Sequence, residues 1–210
     1  MTPRPATPVP RRLSEDQIAD EPMTQFALWL DDALASGMPE PTAMVLSTLT
    51  AEGRPLARTV LLKAHDQAGF TFYSNRTSRK GRELARNPSA CLVFPWYGIQ
   101  RQVIVEGRVR ELSQAQSEPY FRSRPRLAQI GAWASRQSTV IASRAVLDDR
   151  VAELERRWPD PEQVPMPDFW GGYLLEPDAV EFWQAGTFRL HDRLRYRRAD
   201  GGWAVDRLSP

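Results

Sequence analysis

Residues 43–75 read AMVLSTLTAEGRPLARTVLLKAHDQAGFTFYSN, with apolar stretches separated by short polar turns. Three of the stretches are rich in Val, Leu, Thr and aromatic residues, which favour β-strands: 43–50, 56–63 and 70–74. Glu52-Gly53 and the segment 66–69 are typical of turns. This run predicts a β-meander, and the meander decides the fold class of the chain.

The rest of the chain surrounds this meander with further strands and helices. More strands are expected at 90–96, 102–111, 172–175, 180–184 and 194–198, with 203–208 closing a hairpin. Helices are expected from Pro22 to about Gly37, at 78–86, around 120–124 behind a capping box of Ser113 and Gln116, and at 143–158. Helices do not alternate regularly with strands, so six to eight strands with inserted helices predict a β-barrel or α+β domain, not a doubly wound sheet.

The composition limits the compartment and the partners. Residues 1–14, MTPRPATPVPRRLS, predict a disordered arm, which leaves 15–210 as one domain. The arm has no apolar core of a signal peptide, and the chain has no apolar run near the length of a membrane span. The single cysteine, Cys91, lies in an apolar run and fits a reducing cytoplasm. The net charge of +2 argues weakly against nucleic acid as the main partner.

Several common kinds of active site lack their residues. The chain has no G-x-G-x-x-G, no P-loop and no G-x-S-x-G elbow. Its two histidines, His65 and His191, lie far apart in sequence, and there is one cysteine. No metal site is therefore predicted.

Lysine is scarce and concentrated in one region. Of the 28 basic residues only Lys63 and Lys80 are lysines, and both lie within the run that begins at Arg58. A lysine ammonium is a compact point charge, whereas arginine is a planar fork, so this usage favours a phosphate site over chance. Lys80 also lies at the start of the helix that begins near Ser78, where free N–H groups attract an anion, although a solvated basic helix start is the alternative.

Two further clusters are open to two interpretations. Tyr120 and Arg124 are four residues apart, on one helical face, and form either a phosphate clamp or a surface pair. In the run from 189 to 198 an extended backbone would place Arg189, His191 and Arg193 on one face, with an edge strand that turns its charges outward as the alternative.

Motifs over nearly the whole chain, from about residue 20 to Pro210, resemble one family. They are RTVLLK (58–63), GFTFYSNRTSRKGRELARNP (69–88), RQVIVEGRVREL (101–112), YFRSRPR-x-x-QIGAWAS-x-QS (120–138), FWGGY (169–173), EFWQ (181–184), RLHDRLRYRR (189–198) and the closing DRLSP. Their order and spacing are similar to those of the pyridoxine/pyridoxamine 5'-phosphate oxidases. That family implies an antiparallel FMN-binding split β-barrel with peripheral helices.

The resemblance also implies which residues form the site. The FMN contacts of the family fall on Arg58, Lys63, Tyr73, Ser74, Arg79, Lys80, Gln102, Gln137, Ser138, Trp183 and Arg193. Its substrate contacts fall on Lys63, Tyr120, Arg124, Arg189 and His191, of which Arg189 and His191 would be the catalytic pair.

The activity implied by the resemblance is a step of vitamin B6 salvage and biosynthesis. Pyridoxine 5'-phosphate or pyridoxamine 5'-phosphate is oxidised to pyridoxal 5'-phosphate with O2, giving H2O2 and, from the amine, ammonia. Family members are homodimers with two flavin sites at the interface, each lined by both chains. The expected partners are thus a phosphorylated B6 vitamer, O2 and a second copy of the chain, with neither nucleic acid nor membrane.

Two positions depart from the family pattern and keep an alternative open. Ala128 stands where the family usually has a serine that contacts the substrate phosphate, and Phe188 precedes Arg189 where a polar residue is usual. Such changes suit a flavin oxidase of the same fold that acts on a ring other than a B6 vitamer in a specialised biosynthetic pathway. A non-catalytic module that binds pyridoxal phosphate or FMN is the other alternative.

Overall fold

A curved antiparallel sheet is the central element of the computed structural model, which describes residues 12–210. The nine strands of this part are β1 (Ala43–Leu49), β2 (Pro55–Leu61), β3 (Ala64–Asp66), β4 (Gly69–Asn75), β5 (Ser89–Trp96), β6 (Arg101–Glu111), β7 (Trp170–Gln184), β8 (Asp192–Ala199) and β9 (Gly202–Arg207). Its α-helices are α1 (Pro22–Ala35), α2 (Arg79–Arg86), α3 (Gln114–Ser123), α4 (Arg126–Ala134) and α5 (Ala145–Arg157). The antiparallel barrel class predicted from the sequence is confirmed.

The order of the strands differs from the predicted meander. The hydrogen-bonded path runs β2-β1-β5-β6-β7-β4-β3. Strand β2 is therefore at one end of the path and β4 is next to the other end, although only the short β3 separates them in sequence. The three strands predicted in the 43–75 run are present as β1, β2 and β4, but their pairing as one meander was wrong. The two ends of the path meet beside Lys63, whose backbone N–H donates to the carbonyl of Thr71 at 2.9 Å. Lys63 therefore lies at the seam of the barrel.

Strand β7 is the long element on which the barrel depends. Its first half pairs with β4 and its second half pairs with β8. Every residue of β6 also pairs with a residue of β7. Two separate strands, 172–175 and 180–184, were predicted here. The ladder instead continues past the proline, and its register shifts where Glu106 and Gly107 of β6 face Ala179 and Pro177, which leaves Asp178 as an extra residue of β7.

The helices follow their sequence signals where caps are strong. Ser78 caps α2 by accepting from the N–H of Gly81, and the capping box of Ser113 and Gln116 is present at the start of α3. Helix α4 and the short strand β3 were not predicted. Of the predicted arm, residues 1–11 lie outside the described residues, while Leu13 is buried and its N–H donates to Asp192 at 3.1 Å. That 15–210 form one domain stays a prediction.

The buried apolar side chains form two clusters. The first joins the sheet to α1, where the Phe26 ring meets Phe70 edge-on at 4.7 Å. The second lies beneath α3, α4 and α5 around Phe121, Leu154 and Trp170. Residues that pack against each of the two clusters line the cavity described below.

Gly69 offers a test of the close packing between β4 and β7. Its φ is +141°, and a Cβ at this position would overlap the carbonyl oxygen of Leu175. We expect Gly69→Ala to lower the free energy of unfolding by about 3 kcal/mol or more, from backbone strain and displacement of β7 together. Urea unfolding measures the change.

Gly53→Ala is the matched control for this substitution. Gly53 also has a positive φ, +75°, but a Cβ there meets nothing within 4 Å. It should cost only the left-handed strain of about 1–2 kcal/mol. Equal losses in the two variants would contradict the close contact at Leu175.

Candidate active site

A cavity of about 440 Å³ lies where the barrel seam meets the helical side of the molecule. Strands β2, β4 and β7 and helices α2, α3 and α4 contribute to its walls. Seven residues that the resemblance assigned to a site line this one cavity: Lys63, Tyr73, Ser74, Lys80, Tyr120, Arg124 and Gln137. The cavity thus combines cations, amide and hydroxyl groups, and aromatic rings.

One wall of the cavity is a stack of aromatic rings. Tyr73 stacks on Tyr120 with centroids 4.1 Å apart and on Trp170 at 5.3 Å. The guanidinium of Arg124 lies over the Trp170 ring, 4.8 Å from its centroid. A flat, apolar surface beside a cation suits a ring that carries an anionic group.

Arg124 reaches this wall from outside the helix. Tyr120 and Arg124 were predicted to share one helical face, but α3 ends at Ser123 and Arg124 is extended, with φ −72° and ψ 147°. Pro125 is the cause, since the residue before a proline is driven out of helical geometry. The two side chains nevertheless line the same cavity.

The guanidinium of Arg124 has unmet hydrogen-bonding capacity. Its Nη1 is buried and has no hydrogen-bond partner. Burial lowers the pKa of Arg124, and the neighbouring Tyr120 opposes that shift. Burial likewise raises the pKa of Tyr73. A buried donor without an acceptor is costly, so this side of the cavity is suited to receive an anion.

Lys80 organises the opposite side of the cavity. Its Nζ donates to Ser74 Oγ at 3.1 Å and to Gln137 Oε1 at 2.7 Å. Burial lowers its pKa, and the charge of Arg58 lowers it further. Ser138, the residue after Gln137, accepts from the backbone N–H of Arg79 at 3.2 Å through its Oγ. The 137–138 segment is therefore held on the first turn of α2.

Arg58 and Arg79 do not line the cavity but are held beside Lys80. Arg58 Nη2 lies 2.8 Å from Glu83 Oε2, and Arg79 Nε lies 3.0 Å from Glu83 Oε1. Glu83 was not identified as a site residue from the sequence. Its only signal was its place four residues after Arg79 on the predicted helix.

Three other predicted residues lie side by side on β6, β7 and β8, and none of them lines the cavity. Gln102 of β6 is directly opposite Trp183 of β7, which is directly opposite Arg193 of β8. Directly opposite residues project from the same face of a sheet, so the three form one row. Arg193 is fixed by a bidentate pair with Glu181, at 2.8 and 3.0 Å.

The loop before β8 carries the predicted catalytic pair. The extended backbone considered for the run from Arg189 is absent at its start, because residues 187–189 form a 3₁₀ turn and β8 begins at Asp192. The His191 ring lies 4.6 Å from that of Trp183, and its Nδ1 accepts from the N–H of Gly186 at 3.2 Å. A neutral His191 therefore carries its proton on Nε2. Arg189 is exposed.

This loop is strained and apolar at its tip. Phe188 and Arg189 both have positive φ, 54° and 64°, which is unusual for residues other than glycine. Phe188 is 94% exposed and Leu190 is 70% exposed. Within one chain the loop and the row on β6–β8 are not part of the cavity lining, so the predicted residues fall into two separate groups.

Residues 12–210 contain neither a group of metal-ligating side chains nor a long apolar helix. No cluster of three or more His, Cys, Asp or Glu side chains there could hold a metal ion. None of the helices in the described range combines the length and apolarity that crossing a membrane requires.

Comparison with known proteins matches two long stretches of the chain to family models. A model described as "Pyridoxamine 5'-phosphate oxidase" matches residues 30–157. One described as "Pyridoxine 5'-phosphate oxidase C-terminal dimerisation region" matches residues 170–210, which contain β7, β8 and β9.

Similar proteins extend over almost the whole chain. A pyridoxine/pyridoxamine 5'-phosphate oxidase of Frankia alni is 57% identical over 95% of this chain and 84% of its own length. The crystal structure of PhzG from Burkholderia lata 383, in complex with tetrahydrophenazine-1-carboxylic acid, superposes with a TM-score of 0.90 at 32% identity, covering 96% of this chain and 99% of that one. A pyridoxamine 5'-phosphate oxidase-related, FMN-binding protein of Nostoc punctiforme shares the fold, with a TM-score of 0.69 at 16% identity over 88% of this chain and 97% of its own. This chain belongs to the pyridoxamine 5'-phosphate oxidase family.

Proposed function

We propose that this protein is an FMN-dependent oxidase that converts pyridoxine 5'-phosphate and pyridoxamine 5'-phosphate to pyridoxal 5'-phosphate. The observation that carries the proposal is the cavity in which Arg124, whose buried Nη1 has no hydrogen-bond partner, lies beside the Tyr73–Tyr120–Trp170 stack. A ring with a phosphate on a short arm matches both features at once. Relatives up to 57% identical, named for this reaction, support the same substrate.

The donor set of the structure fits FMN. Its phosphate requires several cationic and N–H donors, which Arg58, Arg79 and Lys80 supply around the first turn of α2. Ser74 and Gln137 are already ordered by Lys80 and add polar contacts. Lys63, at the barrel seam, would contact both FMN and substrate. Bound FMN supplies two-electron oxidation, with O2 receiving the electrons as H2O2.

The substrate is held by residues that act on its phosphate and its ring. Lys63, Tyr120 and Arg124 would bind the phosphate and so align the carbon that is oxidised. Arg189 would orient the substrate ring, and His191 Nε2 would donate a hydrogen bond to its oxygen. For the amine substrate, water completes the reaction and releases ammonia.

A homodimer would complete the site. The match of residues 170–210 to a dimerisation region supports a dimer built on β7–β9. We infer that the row of Gln102, Trp183 and Arg193 and the loop with Arg189 and His191 complement the cavity of the partner subunit. The exposed Phe188 and Leu190 and the strained backbone between them are consistent with a loop that is shaped by a partner.

One observation favours a second candidate function. Ala128 lines the cavity where the family usually offers a serine hydroxyl, and PhzG, crystallised with a tetrahydrophenazine carboxylic acid, has the same fold at 32% identity. An oxidase of a non-B6 ring would need no phosphate contact at residue 128. The retained Arg124 and the 57% identical relative favour the B6 substrate.

Restoring the hydroxyl tests whether residue 128 faces the substrate phosphate. We expect Ala128→Ser to lower KM for pyridoxine 5'-phosphate by about tenfold, since a hydrogen bond to a charged group contributes about 1.5–3 kcal/mol. Ala132→Ser, one turn further along the same cavity wall, is the control and should leave KM within about twofold. An unchanged KM in Ala128→Ser would show that the phosphate lies elsewhere.

Aerobic turnover of the FMN-loaded protein tests the function directly. Pyridoxine 5'-phosphate and pyridoxamine 5'-phosphate are supplied separately, and the aldehyde and H2O2 are followed together. Equal amounts of the two products are the expected result. A yellow protein that leaves both substrates unchanged would reject the B6 reaction and favour the second candidate.

A further inference from the structure

Glu83 is a buried carboxylate behind the proposed phosphate-binding residues. It lies on α2, and its side chain is only 7% exposed. The catalytic proposal gives it no contact with FMN or substrate. A buried charge must be compensated, so its partners define what it does.

Both oxygens of Glu83 are occupied. Oε1 accepts from Arg79 Nε at 3.0 Å, and Oε2 accepts from Arg58 Nη2 at 2.8 Å and from Thr48 Oγ1 at 2.6 Å. Burial raises the pKa of Glu83, but the hydrogen bonds from Thr48, Arg58 and Arg79 outweigh burial and lower it. Glu83 is therefore a carboxylate under ordinary conditions.

Thr48 fixes the same unit from the strand below. It is buried on β1, donates to Glu83 and accepts from Arg58 Nη1. Arg58 Nη1 also donates to the carbonyl of Leu46 at 3.3 Å. The guanidinium of Arg58 is thus oriented by three acceptors on one side, which leaves its remaining donors for a ligand.

Without Glu83, the charged side chains around the proposed phosphate site on α2 would all be cations. Arg58, Arg79 and Lys80 are close enough for Arg58 to lower the pKa of Lys80. Such charges repel one another until an anion arrives, and exposed side chains would turn toward water. One carboxylate behind two guanidiniums keeps both in place before the ligand binds. Preorganisation of this kind raises affinity because less side-chain freedom is lost on binding.

We propose that Glu83 is a positioning residue that holds Arg58 and Arg79 so that their remaining N–H groups face the phosphate of FMN. The inference rests on the proposed function, because it takes FMN as the cofactor. Glu83 itself would touch neither the cofactor nor the substrate, so this role is additional to the residues of the proposed site. The rival explanation is that Glu83 only anchors α2 to β1 through Thr48.

Glu83→Gln separates these explanations because it keeps the shape and changes one oxygen into a donor. An amide nitrogen placed at Oε2 would face Arg58 Nη2, and one placed at Oε1 would face Arg79 Nε. Two donors cannot share a hydrogen bond, so one guanidinium is released in either orientation. We expect the affinity for FMN to fall by about tenfold or more.

The measurement is a fluorescence titration of the apoprotein with FMN and, separately, with riboflavin. Riboflavin has the same ring system without the phosphate. A positioning role predicts that Glu83→Gln weakens FMN and leaves riboflavin within about twofold. Glu118→Gln, which breaks the exposed pair with Arg122 on α3, is the control and should change neither. Thr48→Val, which removes the bridging hydroxyl, should weaken FMN selectively by about threefold or more, and it carries the test if Glu83→Gln does not fold.

The other outcomes overturn the proposal in distinguishable ways. Equal loss of FMN and riboflavin would assign Glu83 to anchoring. Unchanged or tighter FMN binding would mean that the carboxylate does not position the guanidiniums. Both outcomes leave the proposed function standing if the wild-type protein prefers FMN to riboflavin. A wild-type protein without that preference overturns this inference and the FMN assignment together.

Discussion

Arg124→Leu is expected to raise KM for pyridoxine 5'-phosphate at least about a hundredfold. Arg124 Nη1 is buried and unpartnered, so a substrate phosphate would receive a hydrogen bond that is not shared with other groups. Loss of one partner from a buried charge pair costs about 2–5 kcal/mol. Leucine keeps the packing on Trp170 and Phe121, which confines the change to the guanidinium. Steady-state kinetics with varied substrate measures it.

The same substitution should not destabilise the protein. Burial lowers the pKa of Arg124, so the folded apoprotein carries the cost of this charge. We expect the free energy of unfolding to stay equal or to rise by about 1 kcal/mol, because the unmet donor is removed. Arg122→Leu, two residues earlier and exposed, is the control and should leave KM unchanged. A loss of stability in Arg124→Leu with normal KM would make Arg124 a structural residue.

Local signals in the sequence predicted the elements better than their partners. The strands predicted at 43–50, 56–63 and 70–74, the helix start near Ser78 and the capping box at Ser113 were correct because each depends on a few adjacent residues. The pairing of β4 with β7 was missed, since nothing within β4 specifies a strand about 100 residues later. The strands predicted separately at 172–175 and 180–184 are one strand, β7, because its pairing with β6 continues past the irregularity at Pro177.

The candidate site shows the same limit at the level of side chains. The motifs identified Lys63, Tyr120 and Arg124 by residue type, and the structure brings them to one cavity. The sequence could not indicate that Arg124 lies beyond the end of α3, nor that Glu83 pairs with two arginines. Both depend on neighbours from other elements.

The separation of the predicted residues into two groups has its own physical reason. The cavity residues come from β2, β4, the start of β7, the helices α2–α4 and the segments that follow them, whereas Gln102, Trp183 and Arg193 form a row on β6–β8. Both subunits of a homodimer have the same sequence, so the sequence cannot indicate which subunit contributes each residue to a given site. The dimer proposal therefore makes a prediction that a site within one chain does not.

Two inactive variants should restore activity when they share one dimer. Arg189→Ala alone should lower kcat by about a hundredfold, since the orientation of the reacting ring is lost. Arg124→Leu alone is impaired at the phosphate. In a heterodimer of the two, one site carries both substitutions, and the other combines the intact Arg124 of one subunit with the intact Arg189 of the other. That dimer should have about half of the wild-type activity.

Coexpression with two different affinity tags and sequential purification isolates this heterodimer. Activity is measured near the wild-type KM, beside both variant homodimers and a wild-type dimer that carries the same tags. Recovery requires that Arg124 and Arg189 of one site come from different chains, because a site within one chain would always contain one of the two substitutions. Activity no higher than that of the homodimers would therefore reject the shared site and place the loop over the cavity of its own chain.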